Sequence, residues 1–428
     1  MTAKVADARA TALALLDAVL AKHMPLDQAL EENRTLGALS PRDRAFARLL
    51  TATVLRRLGQ IDDALARCLA KLVNAGTVRD ILRMGAAQLM FLDTPPHAAV
   101  ATAVDLAAIH RPAMKGLVNA ILRRLAREGS DILKQQDAAR LNTPEWLWRS
   151  WSASYGEATA RAIAAAHWHE APLDLSVKAE TAIWAMKLEA KVLPTGTLRR
   201  APGGRIEDLP GYNDGAWWVQ DAAAAMPATL LGDIRGATVA DLCAAPGGKT
   251  AQLAAAGAHV IALDSSAPRL QRVHDNLARL KLTAECVTAD ATTWQPAEKL
   301  RFILLDAPCT ATGTARRHPD VPHLKSPADV VRLAAQQDRM LANAVSALAP
   351  GGTVVYCVCS LEAEEGPARI ARLLESGAPV ERRPILPAEI GGLAECITPE
   401  GDLRTLPCQL AEDGGLDGFY ACRLVRKP

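Results

Sequence analysis

The sequence predicts an all-α N-terminal bundle followed by a doubly wound α/β domain whose sheet is mostly parallel, with an antiparallel strand at one edge. Two observations carry this expectation. Apolar residues recur at helical spacing from residue 5 to 128, with no strand-like alternation. From about Trp218 the rhythm changes to short apolar runs separated by helical stretches.

The elements follow in order. "RATALALLDAVL" sets Leu13, Leu16, Val19 and Leu20 on one helical face. "SPRDRAFARLLTATVLRRL" opens a helix with Ser40 as its cap and Pro41 at the first position, where a missing N–H costs nothing. "TVRDILRMGAAQLMFL" and "MKGLVNAILRRLAR" continue the pattern, giving a helical domain over 1–136. A polar stretch from Ser130 to Thr143 leads to Trp146, Trp148, Trp151, Trp168 and Trp184, with short helices and a strand at "PLDLSVKAE". Residues 137–217 therefore read as a linker and small α+β subdomain. Its tryptophans either stack on unpaired bases or pack, and packing is the commoner fate.

The α/β domain spans 218–428. Its strands are "TVADLCA" (238–244), "HVIALD" (259–264), "ECVTAD" (285–290), "FILLDAP" (302–308) and "GTVVYCVCS" (352–360). The clearest helices between them cover 266–280 and 328–348, and "GFYACRLVRK" (418–427) supplies the edge strand.

Bulk properties narrow the function. The 428 residues allow more than one core, and half of them are hydrophobic. No apolar run approaches the ~20 residues of a membrane helix, and the N-terminus lacks a signal-peptide layout. Nine cysteines without a CxxC pair argue against a secreted disulfide framework and for reduced thiols in a cytoplasm. Cys357-x-Cys359 is a strand spacing with no second pair nearby, so no metal is expected. Residues 1–140 carry a net charge of +6 and the remainder −4. A nucleic-acid-facing module beside a small-molecule module fits this division, and ordinary solvated helix faces fit it equally well.

Ligands of a doubly wound sheet bind beyond the carboxyl ends of its strands. The first strand ends in "DLCAAPGGKT", where Gly247 and Gly248 allow a tight turn before Lys249 and Thr250 begin a helix. The spacing matches neither a Walker A loop nor the GxGxxG fingerprint, which favours a nucleoside over a bare phosphate. Asp264, 17 residues after Gly247, is placed to accept ribose hydroxyls, and Asp290 an adenine amino group. The fourth strand ends in Asp306-Ala307-Pro308-Cys309 and the fifth in Cys359-Ser360, so two thiols compete for a chemical role.

Taken in order, "DLCAAPGGKT", "ALDSSAPRL", Ala289-Asp290, "DAPCTATGTARRHPD" and "YCVCSLEAEEG" resemble the motifs of the Sun/Fmu group of RNA cytosine-5 methyltransferases, whose catalytic domain is Rossmann-like. "SPRDRAFARLL", "RDILRMGAAQLMFLDTPPHAAVATAVDLA" and "GLVNAILRRL" are similar to the RNA-binding NusB domain. That fusion is the layout of members acting on small-subunit (16S) ribosomal RNA, and the likeness is weakest over 130–217. It implies S-adenosylmethionine as cofactor, held by Cys243, Ala244, Ala245, Pro246, Gly247, Gly248, Lys249, Asp264, Arg269, Asp290 and Asp306. Ribosomal RNA is the implied partner of a cytoplasmic monomer. Transfer RNA as substrate, or an RNA-binding factor with a silent core, are the alternatives; the intact "APGGKT", both acids and both cysteines argue against silence.

The chemistry implied needs a thiol. Cytosine C5 is too weak a nucleophile until a thiolate adds at C6 and an acid protonates N3. Composition and spacing leave the choice of thiol open. The resemblance assigns attack to Cys359, product release to Cys309 and N3 contact to Asp306, with Cys357 packed. Four departures from the family pattern stand out. Val358 replaces Thr before the nucleophile, "PCTATG" replaces "PCSGTG", Gly366 stands where Asn is usual, and Ser176-Val177-Lys178 replaces Arg-Val-Asn. Beyond the fourth strand, Arg316, Arg317, His318 and Lys325 form a basic run suited to phosphate contact beside a flipped base.

Overall fold

The computed structural model describes residues 7–69 and 76–428; the helical reading at residues 5–6 and 70–75 lies outside them. The chain divides into two compact units, Met1–Trp168 with Arg317–Lys325, and His169–Arg316 with Ser326–Pro428.

The first unit is helical. The expected helices occupy Ala8–Leu20, Pro41–Arg56, Thr77–Met90 and Lys115–Gln135, joined by others at Leu58–Cys68 and Pro96–His110. Ser40 caps its helix by accepting the Asp43 N–H at 3.1 Å, with Pro41 at the first position. Leu16, Leu50, Val54, Ile61, Ile81 and Leu122 meet in one core. Each such side chain contributes roughly 1.5–3 kcal/mol by leaving water. Trp151 is buried and meets the His167 ring edge-on, while Trp148 lies beneath Arg140 and Arg161. Residues 317–325 complete this unit: Asp320 accepts the Leu26 N–H at 2.9 Å, and Leu324 packs on the core.

The second unit holds two sheets. The smaller is antiparallel, with strands β1 (Leu173–Val177), β2 (Lys191–Val192), β3 (Leu198–Arg200) and β4 (Trp217–Val219) in the order β2-β3-β1-β4. The larger contains β5 (Thr238–Leu242), β6 (His259–Asp264), β7 (Glu285–Thr288), β8 (Leu300–Asp306) and β9 (Leu348–Val358), all parallel. Strands β10 (Val380–Arg382), β11 (Leu403–Thr405) and β12 (Phe419–Arg426) form its antiparallel part. The order is β10-β12-β9-β8-β5-β6-β7.

The C-terminal strand is antiparallel as expected, but it is not the edge: β12 lies between β9 and β10. Its apolar residues explain why. Phe419 and Ala421 join one core and Tyr420, Cys422 and Leu424 the other, so both faces are covered and the short β10 takes the edge. The same alternation divides β9, with Val355 and Cys357 on one face and Val354, Tyr356 and Val358 on the other. β5 is flanked by β6 and β8, so the chain winds away from it in both directions and leaves a crevice at the carboxyl ends.

Candidate active site

The first side of the crevice is a turn under tight control. Cys243 and Gly247 both adopt left-handed backbone conformations, φ 65° and 101°. A side chain at Gly247 would also bring its Cβ within 3.1 Å of Val273. The helix Gly248–Ala255 starts immediately afterwards. Asp264, at the end of β6, accepts N–H groups from Ala245 at 3.3 Å and Ser266 at 2.9 Å. Arg269 sits 3.5 Å from that carboxylate and donates to the Ala245 carbonyl, so Ala244, Ala245 and Pro246 are pinned from one side. Asp290 lies exposed beyond β7; hydrogen bonds from Thr292 hold its carboxyl below the usual range. Acceptor carboxylates at adjacent strand ends, facing a glycine turn, fit the hydroxyl and amino donors of an adenosyl group. Cys243 is inert: burial, then Asp306 and Asp264, push its thiol far up.

The second side carries the thiols. β8 ends at Asp306 and β9 at Val358, and the turns beyond them bring Cys309 Sγ to 3.4 Å from Cys359 Sγ. Both cysteines are partly exposed. Lys249, expected as a cofactor contact, donates to Asp306 Oδ2 at 2.7 Å. Burial opposes its charge, but the Asp306 carboxylate outweighs this and holds it protonated. Cys357 is packed, as expected, yet its thiol also lies 3.5 Å from Asp306 Oδ1, a contact the sequence did not disclose. Burial, followed by Asp306, pushes that thiol well up, which leaves it unreactive. Val358 is fully buried on the opposite face from Cys357. A threonine there would turn its hydroxyl towards the apolar side on which Cys309 packs.

A buried acid that sequence reasoning missed joins the two thiol turns. Glu365 accepts the Thr310 N–H at 2.9 Å, the Thr310 hydroxyl, the Ser360 hydroxyl at 2.6 Å and the Gln337 amide at 3.2 Å. Burial raises its carboxyl above the ordinary range, while these donors favour the charged form. Its only sequence signal is its place at the end of the acidic run after Cys359. The glycine after it has a local cause: a Cβ at Gly366 would lie 2.9 Å from the Arg404 guanidinium and 3.0 Å from the Tyr420 ring, so a larger residue there would have to displace them.

The basic run does not form one patch. Arg316 is buried between Asp221 and Asp417, at 3.1 and 3.0 Å, and also donates to the Gly414 carbonyl. Its assignment to phosphate contact is therefore corrected to an internal ion pair, because its charge is already matched twice out of water. Arg317, His318 and Lys325 belong to the helical unit, where His318 faces Asp27 at 3.4 Å. Within β1, Ser176 donates to Gln220 at 2.8 Å and Lys178, just after it, to the Leu280 carbonyl at 2.8 Å. Among the described residues, no cluster of three or more His, Cys, Asp or Glu could hold a metal ion, and no helix is long and apolar enough to cross a membrane.

Comparison with known proteins agrees with this arrangement. Residues 228–425 match the model of the 16S rRNA methyltransferase RsmB/F family, and residues 6–127 that of the NusB family. The chain is 34% identical to ribosomal RNA small subunit methyltransferase B of Shigella sonnei, over 94% of this chain and 97% of that one. Among solved structures, PH0851 superposes with a TM-score of 0.76 at 20% identity, covering 99% of both chains. A methyltransferase homolog from Pyrococcus horikoshii gives 0.55 at 25% identity, over 65% of this chain and 93% of that one. With both modules matched and a relative aligned almost from end to end, the chain belongs to the RsmB/F family of S-adenosylmethionine-dependent 16S rRNA methyltransferases.

Proposed function

We propose that the protein methylates C5 of one cytidine in 16S ribosomal RNA through a covalent bond between Cys359 and C6 of the base. The observation that carries this reading is the pair of thiols in contact at the ends of β8 and β9, beside the Asp306–Lys249 ion pair. S-adenosylmethionine, held by Asp264, Asp290, Arg269 and the turn from Cys243 to Gly248, supplies the methyl group.

The chain's own residues perform the remaining steps. Cys359 is the attacking sulfur, partly exposed at the end of β9 and on the side of the Lys249 ammonium. As the sulfur adds to C6, Asp306 contacts N3, and the proton shared by the Asp306–Lys249 pair offsets the charge developing there. The enamine formed makes C5 nucleophilic. After methylation C5 loses its proton to a base and the C6–S bond breaks, returning the electron pair to Cys359. Cys309, 3.4 Å away, donates a hydrogen bond to the departing sulfur. The NusB-like unit delivers ribosomal RNA, and the nine free thiols suit a reducing cytoplasm.

Bisulfite mapping tests the proposal. A strain lacking the gene is expected to lose methylation at one 16S cytidine and regain it when the chain is supplied. Loss at a transfer RNA cytidine would move the substrate, and no loss at any cytidine would refute the reaction.

A further inference from the structure

The mechanism leaves one buried ionisable group unused. Glu365 lies on neither the cofactor side nor the Asp306–Lys249 pair, yet it is bonded to the neighbours of both active thiols. Thr310, immediately after Cys309, gives it a backbone N–H and a hydroxyl; Ser360, immediately after Cys359, gives it a second hydroxyl. Gln337 donates to Glu365 at 3.2 Å and to the Pro308 carbonyl at 2.9 Å, which anchors the residue before Cys309 as well. The Tyr356 hydroxyl holds the Glu365 backbone carbonyl at 2.6 Å. These side-chain partners are donors, the arrangement an ionised carboxylate requires.

Charge is therefore distributed unequally around the two sulfurs. Cys359 lies on the side influenced by the Lys249 ammonium. The groups acting on Cys309 are Cys359, Glu365, the Ala311 backbone N–H, which alone favours the thiolate, and, among the phenols, Tyr356. Contact with Cys359, then burial, then charge at Cys359 and the charge of Glu365 push the Cys309 thiol up, against the Ala311 N–H.

We infer that Glu365 is a positioning residue for the thiol pair: it clamps the two turns together and keeps Cys309 as the hydrogen-bond donor, so that Cys359 is the sulfur that attacks. This rests on the two-thiol reading above and adds a cause for the division of labour. It makes Cys309 the group that receives the returning sulfur, with its proton already in place.

The test is alkylation of the full-length protein by iodoacetamide across a pH series, without RNA, with each cysteine followed by peptide mass spectrometry. In the wild type Cys359 is expected to react first. In Glu365→Gln the Cys309 profile moves to lower pH by about one unit, narrowing the preference about tenfold. Glu365→Asp, which keeps the charge on a shorter arm, should fall between the two. A purely structural role would lower the melting temperature and leave the ratio of the two rates unchanged. An unchanged ratio in a folded variant, or faster reaction of Cys309 in the wild type, overturns the inference; the second result needs no variant to fold. Failure of wild-type RNA methylation would instead count against the proposed reaction, and the thiol ratio would still be readable.

Discussion

Two thiols 3.4 Å apart share one hydrogen bond, and the proposed reaction requires only one of them to ionise. Cys359→Ala is expected to give neither methylation nor an RNA adduct. Cys309→Ala should transfer the methyl group and then stall, leaving a protein–RNA complex visible on a denaturing gel; the opposite pattern would exchange their roles. Another single residue governs stability. Asp241 is buried in the sheet, accepts the Thr250 hydroxyl at 2.6 Å and has its carboxyl pushed up to about 7, chiefly by burial. Between roughly pH 4 and 7 the unfolded chain has released this proton while the folded chain keeps it, so stability falls as pH rises through that window. Asp241→Asn removes the titration. Its melting temperature should exceed that of the wild type at pH 8, and the difference should vanish near pH 4.

At the scale of elements, the strands of the parallel sheet were readable because each is a short apolar run between helices, and the interior ones are largely buried, unlike the edge strand β7. "GFYACRLVRK" was expected at the edge, yet β12 lies between β9 and β10. Close approaches between elements were hidden. A Cβ at Gly313 would lie 2.0 Å from the Gly418 carbonyl oxygen, because the loop after Cys309 meets the start of β12 backbone to backbone. Gly313→Ala should therefore cost at least the ~1–3 kcal/mol typical of overpacking, read as a lower urea midpoint. It should also slow methylation, since the Gly313 N–H holds the Cys359 carbonyl at 3.0 Å.

For the whole molecule, the basic run after β8 shows how sequence proximity misleads. Arg316 closes the second unit by pairing with Asp221 and Asp417, which lie about a hundred residues away on either side, while the next nine residues belong to the helical unit. Arg316→Ala leaves two buried carboxylates without their cation, and a loss of about 3–5 kcal/mol is expected. Urea denaturation should report that loss, with RNA affinity per folded molecule unchanged in filter binding. A weaker affinity without loss of stability would restore the phosphate-contact reading.

By itself the sequence determined the two-module order, the parallel strands and the glycine turn after β5, because periodicity, glycine placement and acids at strand ends are local properties. It also held the motifs that identify the family and single out Cys309 and Cys359. Only the tertiary structure decided that Lys249 reaches Asp306, that Cys357 shares that carboxylate, and that Glu365 ties the two thiol turns together. These partners are brought together by the parallel pairing of β5, β8 and β9, with Asp306 opposite Cys357 in the register. Residues separated by fifty or more positions become neighbours through that pairing, and no local pattern in the chain records it.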